Sequence, residues 1–219
     1  MTDVHPVELG QRVIDTGIAE PPHNRVTEHL SEVADGLAVV ESFSHCWALR
    51  TDDGLVCIDA SGAQSGAAVV ESLRGWSEDP VHTLVYTHGH VDHVGGSGAF
   101  IADAEARGHA RPRVAAHEAV PARFERYRTT SDWNIIINRR QFGGVRNRQD
   151  IGIAGNGPRF LPDDVAGPDE VFRDKMSFEV GGRTIQLRHA RGETDDHAWG
   201  WDAENRAAFT GDFTSWVFP

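Results

Sequence analysis

The 219 residues include only two cysteines, two methionines and two tyrosines. Cys46 and Cys57 provide no disulfide framework, and both lie in apolar, strand-like segments where a buried thiol is ordinary. No apolar run approaches the roughly 20 residues of a membrane span. Met1-Thr2-Asp3 opens no signal-peptide pattern, so a soluble protein of a reducing, cytoplasmic setting is the expectation. Positive charge is scarce too: 21 Lys and Arg face 33 Asp and Glu, a formal charge of −12 with neutral histidines. That balance argues against a general binder of nucleic acid or anionic membrane. It leaves a small molecule as the expected partner, with self-association into a homo-oligomer open. No G-x-S-x-G elbow offers a serine nucleophile, and there is no internal repeat or low-complexity tract. The little positive charge is concentrated. Between Arg111 and Arg148 nine arginines face only Glu118, Glu125 and Asp132.

Against these absences stands Thr87-His88-Gly89-His90-Val91-Asp92-His93-Val94-Gly95-Gly96. It follows the apolar run Thr83-Leu84-Val85-Tyr86, which reads as a buried strand. Three imidazoles and a carboxylate thus sit where a strand ends and the chain turns toward a helix, a common place for an active site in α/β folds. Neutral imidazole and carboxylate are donors for zinc and its divalent neighbours. Alternate residues of an extended segment share a face, so His88 and His90 can grip one ion while Asp92 and His93 hold a second. Gly89, Gly95 and Gly96 let backbone pack close to the cluster.

Up to about Arg25 the chain reads as an arm of weak periodicity, and His5, His23 and His29 read as surface residues. From Val26 to Ser61 the pattern is β: Leu37–Val40 is a short strand, and apolar runs flank the hairpin signal Thr51-Asp52-Asp53-Gly54. Asp59, at the end of that hairpin, is either a turn former or a support for the metal loop, and His45 reads as a core or hairpin residue. Gln64–Trp76 predicts a helix, with Ala67, Val70, Leu73 and Trp76 at a spacing of three. A strand at Val81–Tyr86, a helix at Gly98–Arg107 and a strand at Arg113–His117 complete an alternation that implies parallel pairing. Glu118 to about Pro168 breaks the rhythm. It reads as an insertion over one face of the site, helical at Ala119–Arg128, with an isolated apolar run at Asn134–Asn138 and a lid-like character. Beyond it, Gly181-Gly182 and Asp202-Ala203-Glu204-Asn205 each join two strand patterns. One domain spanning 26–219 with an insertion at about 118–168 is the expected organisation.

His88-x-His90-x-Asp92-His93 resembles the H-x-H-x-D-H signature of the metallo-β-lactamase superfamily. That resemblance implies an α/β fold, the αββα four-layer sandwich, and a dinuclear centre. It implies that a third ligand of the first metal comes from His189-Ala190-Arg191-Gly192-Glu193-Thr194-Asp195-Asp196-His197. Aligning the glycine puts Glu193 at the ligand position, similar to the alkylsulfatase branch; His197, His189 and Asp196 remain rivals. Phe209-Thr210-Gly211-Asp212 resembles the family's strand-end motif, so Asp212 is expected to bridge both metals. The family brings a last histidine from beyond that strand. None follows His197 here, and apolar Trp216-Val217-Phe218 suggests a chain shortened at its C-terminus.

The expected activity is that of a metallo-hydrolase with two Zn2+ per chain, Mn2+ or Fe2+ being admissible. Two metals about 3.5–4 Å apart lower the pKa of a shared water to about 7 and clamp the substrate oxygen; Asp92 is the residue expected to orient the hydroxide. The substrate is a small ester-like molecule such as a carboxylic ester, lactone or sulfate ester. An anionic group on it could pair with Arg123, Arg126, Arg139, Arg140 or Arg146. A nuclease or phosphodiesterase of the same fold would want a broad basic face. A di-iron oxygen reductase of the same fold typically has Glu where His90 stands. A non-catalytic protein with a vestigial site is the third alternative, which metal content would separate.

Overall fold

The computed structural model describes residues 4–18, 25–141 and 159–214, with the side chain of Arg139 left aside. Trp216, Val217, Phe218, Arg146 and His23 lie outside the described residues, as do residues 142–158 of the expected lid.

In chain order the elements are α1 (Pro6–Thr16), β1 (Leu30–Ala34), β2 (Leu37–Val40), β3 (Cys46–Thr51), β4 (Gly54–Ile58) and α2 (Gly66–Trp76). There follow β5 (Val81–Val85), the single turn α3 (Val91–Val94), α4 (Ser97–Arg107), β6 (Arg113–His117), α5 (Val120–Thr129) and α6 (Ser131–Gln141). The last are β7 (Glu170–Phe172), β8 (Lys175–Val180), β9 (Arg183–His189), β10 (Ala198–Asp202), β11 (Ala207–Phe209) and a 3-10 turn at Gly211–Phe213.

Strands β1 to β7 lie side by side in chain order in one sheet, and β11-β10-β9-β8 form a second. The first four strands pair antiparallel through short turns. The alternation of strand and helix that follows makes β4-β5-β6 parallel, as expected. Two-residue periodicity then divides the larger sheet's side chains between two cores. Val40, Cys46, Ala48, Leu55, Cys57, Leu84, Val114 and Ala116 face Val69 and Leu73 of α2, Phe100 of α4 and Phe124 of α5. Leu49, Val56, Ile58, Val85 and Ala115 face Ile185, Leu187, Ala198 and Phe209 of the smaller sheet. This is the sheet-on-sheet packing of the expected α/β sandwich, with helices over the outer face of the larger sheet; among the described residues none covers the smaller sheet, and along β8 and β9 the outer positions are exposed or half-buried.

Three local readings change. The arm, expected to be of weak periodicity, contains an 11-residue amphipathic helix, α1, none of whose residues is buried. His5 does more than decorate the surface: it caps that helix through Nδ1, and its Nε2 lies 3.1 Å from Glu32 O. The apolar run Asn134–Asn138 is the middle of α6, and β7, which pairs parallel with β6, was not anticipated.

The glycines after the histidine motif are packing positions. A Cβ on Gly96 would lie 2.1 Å from Ala60 O and 2.9 Å from Gly66 Cα. Both neighbours are backbone, so neither can swing aside. Gly96→Ala is expected to cost about 3 kcal/mol or more, at or above the usual range for overpacking, read as a fall in Tm. An unchanged Tm would mean that α2 and α4 separate without penalty.

Candidate metal centre

The site is assembled where parallel strands β4 and β5 end. Asp59, one residue past β4, has φ 61°, a left-handed conformation that Asp tolerates better than most residues. In that pose its carboxylate accepts the Thr87 N–H at 2.8 Å and the Thr87 hydroxyl at 2.7 Å. It also lies 2.7 Å from His93 Nδ1. Asp59 is therefore both the turn residue and the support of the histidine loop.

These bonds settle which ring nitrogens face inward. The Thr87 hydroxyl donates to Asp59, so it accepts from His88 Nδ1, 3.1 Å away, and His88 Nε2 keeps its lone pair. His93 likewise donates from Nδ1 to Asp59. A carboxylate behind a histidine is the arrangement that fixes a metal-ligating ring. The Nε2 atoms of both rings are buried and make no hydrogen bond to the described residues.

Around them the remaining donors converge. His88 Nε2 is 3.7 Å from Glu193 Oε2 and 4.0 Å from Asp212 Oδ2; His90 Nδ1 is 3.2 Å from Glu193 Oε2. One ligand-type atom from each of His88, His90, Glu193 and Asp212 fits within 4.8 Å of every other. On the far side of Asp212, His93 Nε2 lies 3.3 Å from its Oδ2 and 3.7 Å from Asp92 Oδ2. Asp92 accepts a hydrogen bond from Ser44 Oγ at 2.7 Å. No sequence signal marked Ser44, which lies in the loop between β2 and β3.

The imidazoles of His88 and His93 form a buried floor, while the side chains of Glu193 and Asp212 stand at the rim, 45% and 43% exposed and partly sheltered by the histidines. Burial, helped by the neighbouring His93, His90 and His197, pushes His88 well below the ordinary imidazole range, so it is neutral. Burial works against protonating His93 too, but Asp59, Asp92 and Asp212 outweigh it and raise its pKa well above that range. Asp212 is drawn down to about 2: burial disfavours its charge, and His93 beside it more than compensates. Carboxylates gathered this closely repel one another unless a cation lies among them. The neutral His88 ring, a second inward-facing ring nitrogen on His93 and the carboxylates opposite them are a donor set that fits a divalent transition metal.

The family model of the metallo-beta-lactamase superfamily matches residues 39–215. The chain belongs to that superfamily. A curated relative, the linear primary-alkylsulfatase of Pseudomonas sp. (strain ATCC 19151), is 24% identical over a match covering 76% of this chain and 32% of that protein. The chain thus spans about a third of the curated relative. Among solved structures, the stereoselective inverting sec-alkylsulfatase Pisa1 from Pseudomonas sp. superposes with a TM-score of 0.58 at 20% identity, covering 81% of this chain and 30% of the other. A metallo-β-lactamase with a HARLDQ motif from Cronobacter sakazakii gives 0.57 at 15% identity, covering 90% and 66%. At these identities the structural likeness establishes the fold.

Within this metallo-β-lactamase framework the rival residues fall into other places. His197, fully buried, is stacked between the His88 ring at 4.4 Å and the Phe213 ring at 4.1 Å. A Cβ on Gly192 would come 2.4 Å from its Nδ1. It backs His88 and does not join the four-atom group. His189 stacks on His117 at 4.0 Å, with Nδ1 2.9 Å from His197 O. Asp196 is committed to Arg123 and to the Gly89 N–H. His45 lies with Nδ1 3.0 Å from Ser42 O. Of the arginines expected to meet an anionic substrate, Arg123 is buried with Nε and Nη2 on Asp196 and Asp195. Arg126 and Arg140 are exposed.

The Asp196–Arg123 pair carries a pH dependence. Burial would raise the Asp196 pKa, but Arg123, Thr194 and the Gly89 N–H together hold it below the ordinary carboxylate value. A depressed folded-state pKa stabilises the fold above the unfolded value, about 3.9 for Asp, and that stabilisation is lost as pH falls further. The Tm gap between wild type and Asp196→Asn should therefore narrow between pH 5 and pH 3, in thermal melts run in excess chelator. A gap constant over that range would sever the carboxylate from the acid response.

Proposed function

We propose that this chain is a metal-dependent hydrolase of a small ester-like substrate, with a dinuclear centre for which zinc is the first choice. The observation that carries this reading is the position of Asp212 Oδ2, 4.0 Å from His88 Nε2 and 3.3 Å from His93 Nε2. One carboxylate facing two ring nitrogens in this way suits a ligand shared between two ions. On this reading His88, His90 and Glu193 hold the first metal, Asp92 and His93 the second, and Asp212 both. When bound, such metals supply Lewis acidity and a water acidified to a pKa of about 7. Asp92, whose carboxylate is aimed by Ser44, is assigned to orienting the attacking water. Three carboxylates make the donor set harder than an all-histidine site, so manganese or iron(II) competes with zinc.

The likeness to a Pseudomonas linear primary-alkylsulfatase supports sulfate esters as the first class to try. The test has two stages. Elemental analysis after reconstitution should find a divalent transition metal in wild type and little in His88→Ala. A panel of carboxylic ester, lactone, sulfate-ester and phosphodiester substrates should then show metal-dependent turnover of an ester. A wild type that takes up no metal sinks the reading. Turnover confined to phosphodiesters would favour the nuclease or phosphodiesterase alternative.

A further inference from the structure

We propose that Arg123, on α5 outside both sheets, is a positioning residue for the metal centre; the inference rests on the metal reading above. Gly89 lies between His88 and His90, and its N–H donates to Asp196 Oδ2 at 3.0 Å. The same oxygen accepts Arg123 Nε at 2.8 Å, while Arg123 Nη2 reaches Asp195 Oδ1 at 2.6 Å. The other Asp196 oxygen accepts the Thr194 hydroxyl. One ion pair therefore ties together two turns more than a hundred residues apart in sequence: the one that carries His88 and His90, and the one that carries Glu193.

The pair can hold geometry because it is dry and anchored. Asp196 is 0% exposed and Arg123 8%. Phe124 and Tyr127, flanking Arg123 on α5, are buried in the core between helices and sheet. The seat is closely fitted: a Cβ on Gly89 would stand 2.9 Å from both Arg123 Cδ and Asp196 Oδ2. Without the guanidinium, Asp196 is an uncompensated buried charge. It must then take up a proton or turn toward water, and either response weakens its grip on the Gly89 N–H. The separation of His90 from Glu193, 3.2 Å here, is then set by two loops no longer fastened to each other. The fork of Arg123 engages two adjacent carboxylates, which lysine's single ammonium cannot reproduce.

The experiment compares wild type, Arg123→Gln, Arg123→Lys, Asp196→Asn and the exposed-face control Arg126→Gln. Zinc affinity is measured by competition with a chromophoric chelator, and folding by circular dichroism and apo-protein melts. Outer partners of metal ligands characteristically change affinity 10–100-fold, and a loss of that size, about 10–100-fold, is expected for folded Arg123→Gln. Arg123→Lys should recover part of it, and Arg126→Gln should match wild type. The double variant Arg123→Gln/Asp196→Asn should bind zinc no more weakly than the worse single one, since both remove the same link. Should Arg123→Gln fail to fold, the Lys and Asn variants decide. Folded variants that bind zinc as tightly as wild type, whatever their apo Tm, overturn the inference while leaving the metal reading intact. A wild type without zinc affinity overturns both.

Discussion

Glu193→Gln is expected to lower zinc affinity by more than about 100-fold, beyond the loss typical of a residue one step removed from the metal. Glu193 Oε2 lies 3.7 Å from His88 Nε2 and 3.2 Å from His90 Nδ1, so the substitution removes a charge at the point where two imidazoles converge. The residue is exposed at the rim and lies outside both hydrophobic cores. Apo-protein unfolding free energy should therefore stay within about 0.5 kcal/mol of wild type, the usual range for surface changes. The glutamine keeps the size and an amide oxygen, which isolates the role of charge. His197→Gln provides the contrast. Its ring lies between His88 and Phe213 with no hydrogen-bond partner among the described residues, so its loss should lower Tm more than metal affinity. Titration of both variants with zinc reads the difference directly. If His197→Gln loses the metal and Glu193→Gln keeps it, the third donor has been misassigned.

Asp59→Ala should produce the largest loss of stability, about 3–5 kcal/mol, the range for breaking a buried charge network by removing one partner. Three groups lose their acceptor together: the Thr87 N–H, the Thr87 hydroxyl and His93 Nδ1. The first of these is buried backbone, which finds no water to replace the bond. Alanine must also adopt the φ of 61° that Asp59 holds, adding strain. For a domain of this size Tm should fall by about 6–20 °C, measured in chelator so that metal binding does not contribute. Asp59→Asn keeps an acceptor oxygen and should lose less stability. It should nevertheless weaken metal binding, because a neutral amide no longer favours the tautomer with the His93 proton on Nδ1. A variant Asp59→Ala that melts like wild type would reduce Asp59 to an ordinary turn residue.

Much of the fold could be read from the chain alone. The hairpin at Asp53-Gly54, the β5–α4–β6 alternation and the glycine pair at 181–182 depend on interactions between residues a few positions apart, so their pattern is written locally. The same holds for the metal loop. His88, His90, Asp92 and His93 share a strand end and its first turn, and their faces follow from backbone periodicity. Two elements escaped notice. The helix α1 is amphipathic but short and buries none of its residues, while β7 is three residues long and exists because β6 offers it an edge.

The sequence by itself determined the order of strands and helices and the histidine loop, because these rest on short-range periodicity and spacing; the sandwich was implied by the family that the histidine motif resembles. Glu193 and Asp212 could be named as candidates by motif, but only the packing of the second sheet against the first brings them within reach of His88. Only tertiary structure decided that Asp59 aims His93, that His197 backs His88, and that Arg123 is spent on Asp196. The reason is physical. Each of these roles depends on a hydrogen bond, ion pair or ring stack between segments that meet after the sheets have formed, and no periodicity along the chain encodes which side chain will be there.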